Sequence, residues 1–139
     1  MGKLLAFDIG ERRTGIAESD PMKIIASPVG YVETSTLLDW LTSHLSNNEV
    51  ETLVVGKPIR MHGVPSDVET FISELIVKVQ SAHPNLSIER EDERFTSRMA
   101  QRAMIDGGMK KQKRKEKGMV DQISAVLILQ SFMNRGPSF

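Results

Sequence analysis

Cysteine is absent from the 139 residues, which excludes disulfides, thiolate zinc sites and a cysteine nucleophile. No apolar run approaches the ~20 residues of a membrane span. The N-terminus has no basic segment leading into an apolar signal core, so the expectation is a cytoplasmic protein with no membrane partner. Internal repeats and composition-biased linkers are missing too, and residues 1–139 are expected to form a single domain large enough to bury a real core. Net charge is nil, with 18 basic residues against 18 acidic ones.

That neutrality hides an uneven distribution. Residues 110–117, Lys-Lys-Gln-Lys-Arg-Lys-Glu-Lys, hold six of the 18 basic residues and one of the 18 acids, a local charge of +5 that the rest of the chain balances. Clustered Lys and Arg set a field that attracts polyanions. No aromatic residue interrupts the run, so recognition there favours nucleic-acid backbone or shape over base stacking. Elsewhere, 40% apolar and 26% charged residues are ordinary for a globular chain.

The stretch Leu4 to Ala17 organises the rest. Apolar residues run into Asp8, glycines stand at 10 and 15, and Ile16-Ala17 resumes the apolar pattern, which reads as strand (about 3–9), tight turn, strand (about 14–18). A third strand is expected around 24–32, with Pro28 marking an edge or an interruption. Thr36 and Asp39 form a capping box before a helix carrying Leu37, Leu38, Leu41 and Leu45. Thr52 to Gly56 is a continuous apolar run of the kind found in a central strand. Ser66 with Glu69 opens a second helix, striped by Val68, Phe71, Ile72, Leu75 and Val79. Leu86, Ile88 and Arg90 alternate with Ser87, Glu89 and Glu91 in a half-exposed strand, and a third helix is expected over Phe95 to Met104. Gly118 precedes a last helix, about 119–133, whose Val120, Ile123, Leu127 and Ala125–Leu129 run make it the most buried. The order predicts an α/β fold: three antiparallel strands followed by two parallel ones in a mixed five-stranded sheet, with helices on both faces.

Three acids stand beside ordered elements. Asp8 closes a buried strand, where a lone carboxylate needs a compensator: a metal ion, its own turn, or the guanidinium of Arg12 or Arg13. Asp92 or Glu93 ends the fifth strand, which could neighbour the strand of Asp8, and periodicity does not choose between the two. Asp121 lies in the first turn of the last helix, where the backbone dipole favours a carboxylate. Converging carboxylates bind hard divalent cations, and two such ions ~3.5–4 Å apart activate water and neutralise the leaving oxygen of a phosphodiester. His62 is the one histidine in a loop near this group, and it is weighed as a substrate contact because Mg²⁺ prefers oxygen.

Four blocks carry a family likeness: Ala6-Phe7-Asp8-Ile9-Gly10 with Arg13-Thr14-Gly15-Ile16-Ala17 and Ser19-Asp20; Val55-Gly56-Lys57-Pro58 with Met61-His62-Gly63; Asp92-Glu93-Arg94-Phe95-Thr96-Ser97 with Ala100; and Lys110-Lys111 with Val120-Asp121 and Ala125. In these the sequence resembles the YqgF family of RNase H-like proteins, which carries the names Holliday junction resolvase and pre-16S rRNA nuclease. The resemblance implies an RNase H-like fold and a hydrolytic nuclease dependent on Mg²⁺ or Mn²⁺, with room for two metal ions. It puts the catalytic and metal-binding acids on Asp8, Glu93 and Asp121. It also implies a structured nucleic-acid partner, RNA or branched DNA, met by Arg12, Arg13, Lys57, Arg60, His62, Arg94, Lys110, Lys111, Lys113, Arg114, Lys115 and Lys117. The 5′ end of precursor 16S rRNA is the family's usual substrate assignment.

This chain departs from the family pattern in three places. Lys57 and His62 replace the usual Leu and Asp of the loop, Thr14 stands where Ile or Val is usual, and Gly56-Lys57-Pro58 supplies no acid at the end of the fourth strand. Two further functions compete with rRNA processing: resolution of four-way DNA junctions, which needs a two-fold dimer where RNA cutting is compatible with a monomer or weak homodimer, and a non-catalytic role in ribosome assembly. A nucleotide-binding reading of Asp-Ile-Gly and Thr-Gly, as in actin-like and sugar-kinase folds, requires a second phosphate loop and a larger second subdomain, for which 139 residues leave no room.

Overall fold

Alternation along one strand divides the molecule into two cores. In β1 (Lys3–Ile9) the odd positions Leu5, Phe7 and Ile9 enter one apolar cluster, and the even positions Leu4 and Ala6 enter another, as successive strand side chains must. The structure, a computed structural model, describes residues 2–58, 67–92 and 118–135. After β1 come β2 (Arg13–Ser19), β3 (Ala26–Glu33), a 3-10 turn (Thr34–Thr36), α1 (Leu37–Asn47), β4 (Val50–Lys57), α2 (Asp67–Ala82), β5 (Ser87–Asp92) and α3 (Met119–Met133).

The sheet order is β3-β2-β1-β4-β5. β1 pairs antiparallel with β2 and β2 with β3, while β1–β4 and β4–β5 are parallel. This is the mixed sheet expected from the element order, with one correction. β5 does not neighbour β1, because β4 lies between them. β3 is the edge strand that Pro28 announced, and its register slips opposite Ile16 and Ala17. The strand starts at Ala26, not Ile24, because Ile24 and Ile25 donate their N–H groups to the Asp20 carboxylate in the preceding turn.

The two faces of the sheet differ in grain. Leu5, Phe7, Ile16, Leu53 and Val55 pack with Leu37 and Leu41 of α1 and with Ile72 and Val79 of α2. On the other face Leu4, Ala6, Ala17 and Val54 meet Ala125, Ile128 and Leu129 of α3. Alanines on both sides of that second contact let the helix lie close to the strands, whereas the bulky first face holds two helices further out. Burial of each large apolar side chain contributes roughly 1.5–3 kcal/mol, and β1 and β4, covered on both faces, read as apolar runs for that reason.

Several local expectations are corrected. Thr36 is the N-cap residue of α1 but makes no side-chain cap bond; its hydroxyl donates to the Glu33 carbonyl inside the 3-10 turn. Glu69 is held by Arg90 of β5, and Ser66, its expected capping partner, lies outside the described residues. The buried face of α3 is Ser124, Ala125, Ile128 and Leu129, with Val120, Ile123 and Leu127 only half-buried. β5 is half-exposed as expected, with Ser87 and Glu89 open, but Glu91 at its carboxyl end is covered, at 7% exposure. The helix expected over Phe95 to Met104 and the basic run 110–117 lie outside the described residues.

Thr14, one of the departures from the family pattern, is fully buried. Its hydroxyl lies 2.8 Å from that of Thr34, and the Thr34 hydroxyl donates to the Gly10 carbonyl at 2.6 Å. With the Thr34 N–H bonded to the Arg12 carbonyl, this residue ties the start of α1 to the β1–β2 turn. Thr34→Val should therefore cost about 1–3 kcal/mol by leaving buried polar groups unpaired. Adding Thr14→Val should cost less than the sum of the single changes; urea denaturation of the four-member cycle measures both.

Candidate active site

Strand register sets up one row of residues across the sheet. Tyr31 pairs with Gly15 and Gly15 with Asp8. Phe7 pairs with Val55, one step before Gly56, which pairs with Glu91. Tyr31, Gly15, Asp8, Gly56 and Glu91 thus form a row on the face covered by α3, near the carboxyl ends of the parallel strands, where open α/β sheets place their ligands. Asp8 is half-buried and has glycine on each side of it in this row.

Gly15 admits the N-terminus of α3. A Cβ at this position would overlap the carbonyl oxygen of Asp121, so only a bare backbone lets the first helical turn settle there. Gly118, the N-cap residue, has a φ of 85°, in the left-handed region open to glycine. A Cβ there would collide with the Tyr31 ring. Two glycines and one tyrosine therefore seat the helix start over β2 and β3, and Asp121 comes down against the strand that pairs with Asp8. Neighbouring strands lie about 4.8 Å apart, so two carboxylates remote in the chain share one end of one face.

Arg13 completes this corner. Its Nε donates to Asp121 Oδ2 at 3.2 Å, with both side chains 29% exposed. The contact follows from β2 alternation, which puts positions 13, 15 and 17 on the α3 face. The far end of α3 is anchored at the same row. Glu91 accepts from the Ser131 hydroxyl and from Arg135 Nε, the latter at 2.7 Å, and Arg135 also donates to the Arg90 carbonyl. On the opposite face Arg90 binds Glu69 and the carbonyls of Val55 and Gly56, fixing the end of β4 to β5 and α2.

Of the residues singled out from sequence, the structure pairs Arg13 with Asp121 and sets Asp8 opposite Gly15, the strand position against which the Asp121 backbone rests. Arg12, in the β1–β2 turn, and Lys57, ending β4, are exposed at the same pole. Asp92 pairs with Lys57, and alternation sends it to the face opposite Glu91, away from Asp8 and Asp121. Glu93, Arg60, His62, Arg94, Lys110, Lys111, Lys113, Arg114, Lys115 and Lys117 lie outside the described residues. Sequence reasoning passed over Glu91, Ser131 and Arg135. Their contacts join a strand to a helix end some forty residues on, and no local pattern signals such a pairing.

Carboxylate oxygens from Asp8 and Asp121 are the donor chemistry that Mg²⁺ and Mn²⁺ require. Among the described residues no group of three or more His, Asp or Glu is arranged to hold a metal ion. A cage with more protein ligands therefore needs a contribution from elsewhere in the chain.

The arrangement as a whole, a mixed five-stranded sheet with a helix crossing one face and acids at the carboxyl end, is an RNase H-like fold. The Thermus thermophilus RuvC structure "in complex with Holliday junction substrate" superposes with a TM-score of 0.58 at 11% identity, covering 97% of this chain and 98% of that one. The model of the RuvX family, described as "Holliday junction resolvase", matches residues 2–135. Curated relatives named "Putative pre-16S rRNA nuclease" are 47% identical in Porphyromonas gingivalis (96% of this chain, 97% of that one) and 42% identical in Flavobacterium psychrophilum (97% and 98%). The chain belongs to the RuvX family, which places it among the phosphodiester-cleaving nucleases.

Gly15→Ala tests how the site is assembled. The added methyl should displace the first turn of α3 and cost about 2–4 kcal/mol in urea denaturation.

Proposed function

We propose that this chain is a divalent-metal-dependent nuclease acting on structured RNA, with the 5′ end of precursor 16S rRNA as its substrate. The observation that carries this reading is the seating of α3 on Gly15, which delivers Asp121 to the face and end of the sheet that hold Asp8. The names of the curated relatives support the choice of rRNA. In this reading Asp8 and Asp121 hold Mg²⁺ or Mn²⁺, Glu93 completes the ligand set, and the 139 residues work as one cytoplasmic nuclease domain, monomeric or weakly dimeric.

The bound ion supplies a water of lowered pKa and neutralises charge on the leaving oxygen. The chain's own residues bring the phosphate there. Arg12 offers positive charge at this pole, Lys57 adds it from the opposite face of the sheet, and Arg60, His62, Arg94 and the basic residues of 110–117 extend it along the nucleic-acid backbone. Such contacts neutralise phosphates without reading bases.

A second reading, cleavage of four-way DNA junctions, draws on the family description and the RuvC likeness. It requires two sites facing opposed strands and therefore a two-fold dimer. Labelled precursor rRNA and a four-way junction, each incubated with Mg²⁺, Mn²⁺ or chelator, separate the two. The expected outcome is metal-dependent cutting of the rRNA. Asp8→Asn and Asp121→Asn should each lower it more than about 100-fold, beyond the loss typical of outer-shell changes, with circular dichroism and RNA binding largely retained. Unchanged cleavage in Asp8→Asn would remove Asp8 from the reaction.

A further inference from the structure

Asp121 is claimed twice. Its Oδ2 accepts from Arg13 Nε at 3.2 Å, and the reading above gives the same carboxylate to a divalent cation. Two cations sharing one carboxylate repel each other, so an arriving metal ion and the guanidinium compete. Among the described residues Arg13 is the partner that Asp121 has. The pair is accessible, each side chain being 29% exposed, and ion pairs open to water are readily exchanged. A guanidinium released there has a second use, because its planar fork suits phosphate oxygens.

Resting on the nuclease reading of this site, we infer that Arg13 is an exchangeable counter-cation: it holds Asp121 in the free protein, then gives the carboxylate to a divalent ion and takes a phosphate of the nucleic acid. Whichever ligand arrives first bears the cost of parting the pair. The second finds its own partner already released. Metal and nucleic acid therefore bind cooperatively, and by linkage each strengthens the other by the same factor. The consequence is a site that loads its metal efficiently only when a phosphate backbone is present. Arg13 thus acts on the metal site through Asp121 and on the nucleic acid directly.

The test measures binding, not turnover. Mn²⁺ affinity of the full chain is read by calorimetry without RNA. The affinity for a fluorescein-labelled RNA hairpin is read by anisotropy in chelator and in saturating Mn²⁺, with the RNA checked intact on a gel. For the wild type, Mn²⁺ should tighten RNA binding about fivefold or more, within the usual range of coupling between sites. Arg13→Gln, which keeps a hydrogen-bond donor but no charge, should bind Mn²⁺ about fivefold more tightly in the absence of RNA and show less than about twofold coupling. Arg13→Lys, which keeps the charge, should stay near the wild type in both respects and guards against a folding defect in the glutamine variant. If the wild type takes up Mn²⁺, Asp121→Asn abolishes that uptake, and Arg13→Gln matches the wild type in affinity and coupling, the exchange is wrong while the metal site stands. If wild-type Mn²⁺ uptake is absent or indifferent to Asp121→Asn, the metal site and the exchange fall together.

Discussion

The first turn of α3 resting on the uncovered backbone of Gly15 is the contact on which the rest of the site depends. A helix packed on a sheet ordinarily stands off by the length of the side chains between them. Here the sheet offers glycine at the point of crossing, on β2, and alanine further along the helix, at position 6 of β1 and position 17 of β2. The helix can therefore approach closely enough for the backbone of its first turn to rest on the strand that pairs with Asp8. The same row of the sheet supplies Tyr31, whose ring backs Gly118, so the approach of the helix is fixed before any charge is placed.

The other end of α3 is held by a different kind of interaction. Glu91 is almost fully buried and accepts from Ser131 and Arg135. A buried charged pair contributes little net stability after desolvation, but it fixes geometry, because only one placement of the helix end satisfies all its donors. Steric fit at the start of the helix and polar pairing at its finish together leave α3 a single position across the sheet. Arg90 performs the matching task on the opposite face through Glu69 and the end of β4. The two sides of β5 are thus pinned just before the chain continues to Glu93.

Acids that must receive a polyanion need cations among them, and the layout at this pole is mixed in sign. Arg13 lies against Asp121, while Arg12 in the β1–β2 turn and Lys57 at the end of β4 are exposed at the same pole. A chain with no net charge can still present a local field suited to phosphate, because what a ligand meets is the arrangement of charges within about a Debye length.

The strands, the helices among the described residues and the two-faced sheet were legible in the sequence, since period-2 and period-3.6 apolar patterns are local properties of the chain. Asp8 and Asp121 were legible too, each as an acid at the end of an ordered element and inside a family block. Less was legible where one residue had two available partners. Arg13 could face solvent or Asp121, and the choice depends on which element packs alongside. Glu91 was misjudged because strand alternation assigns a residue to a face but does not say whether that face is covered. By itself, then, the sequence determined the elements among the described residues, their order and the candidate acids. Only the tertiary structure decided which of them meet, since strand order, helix crossing and the space left by Gly15 arise from contacts between segments far apart in the chain.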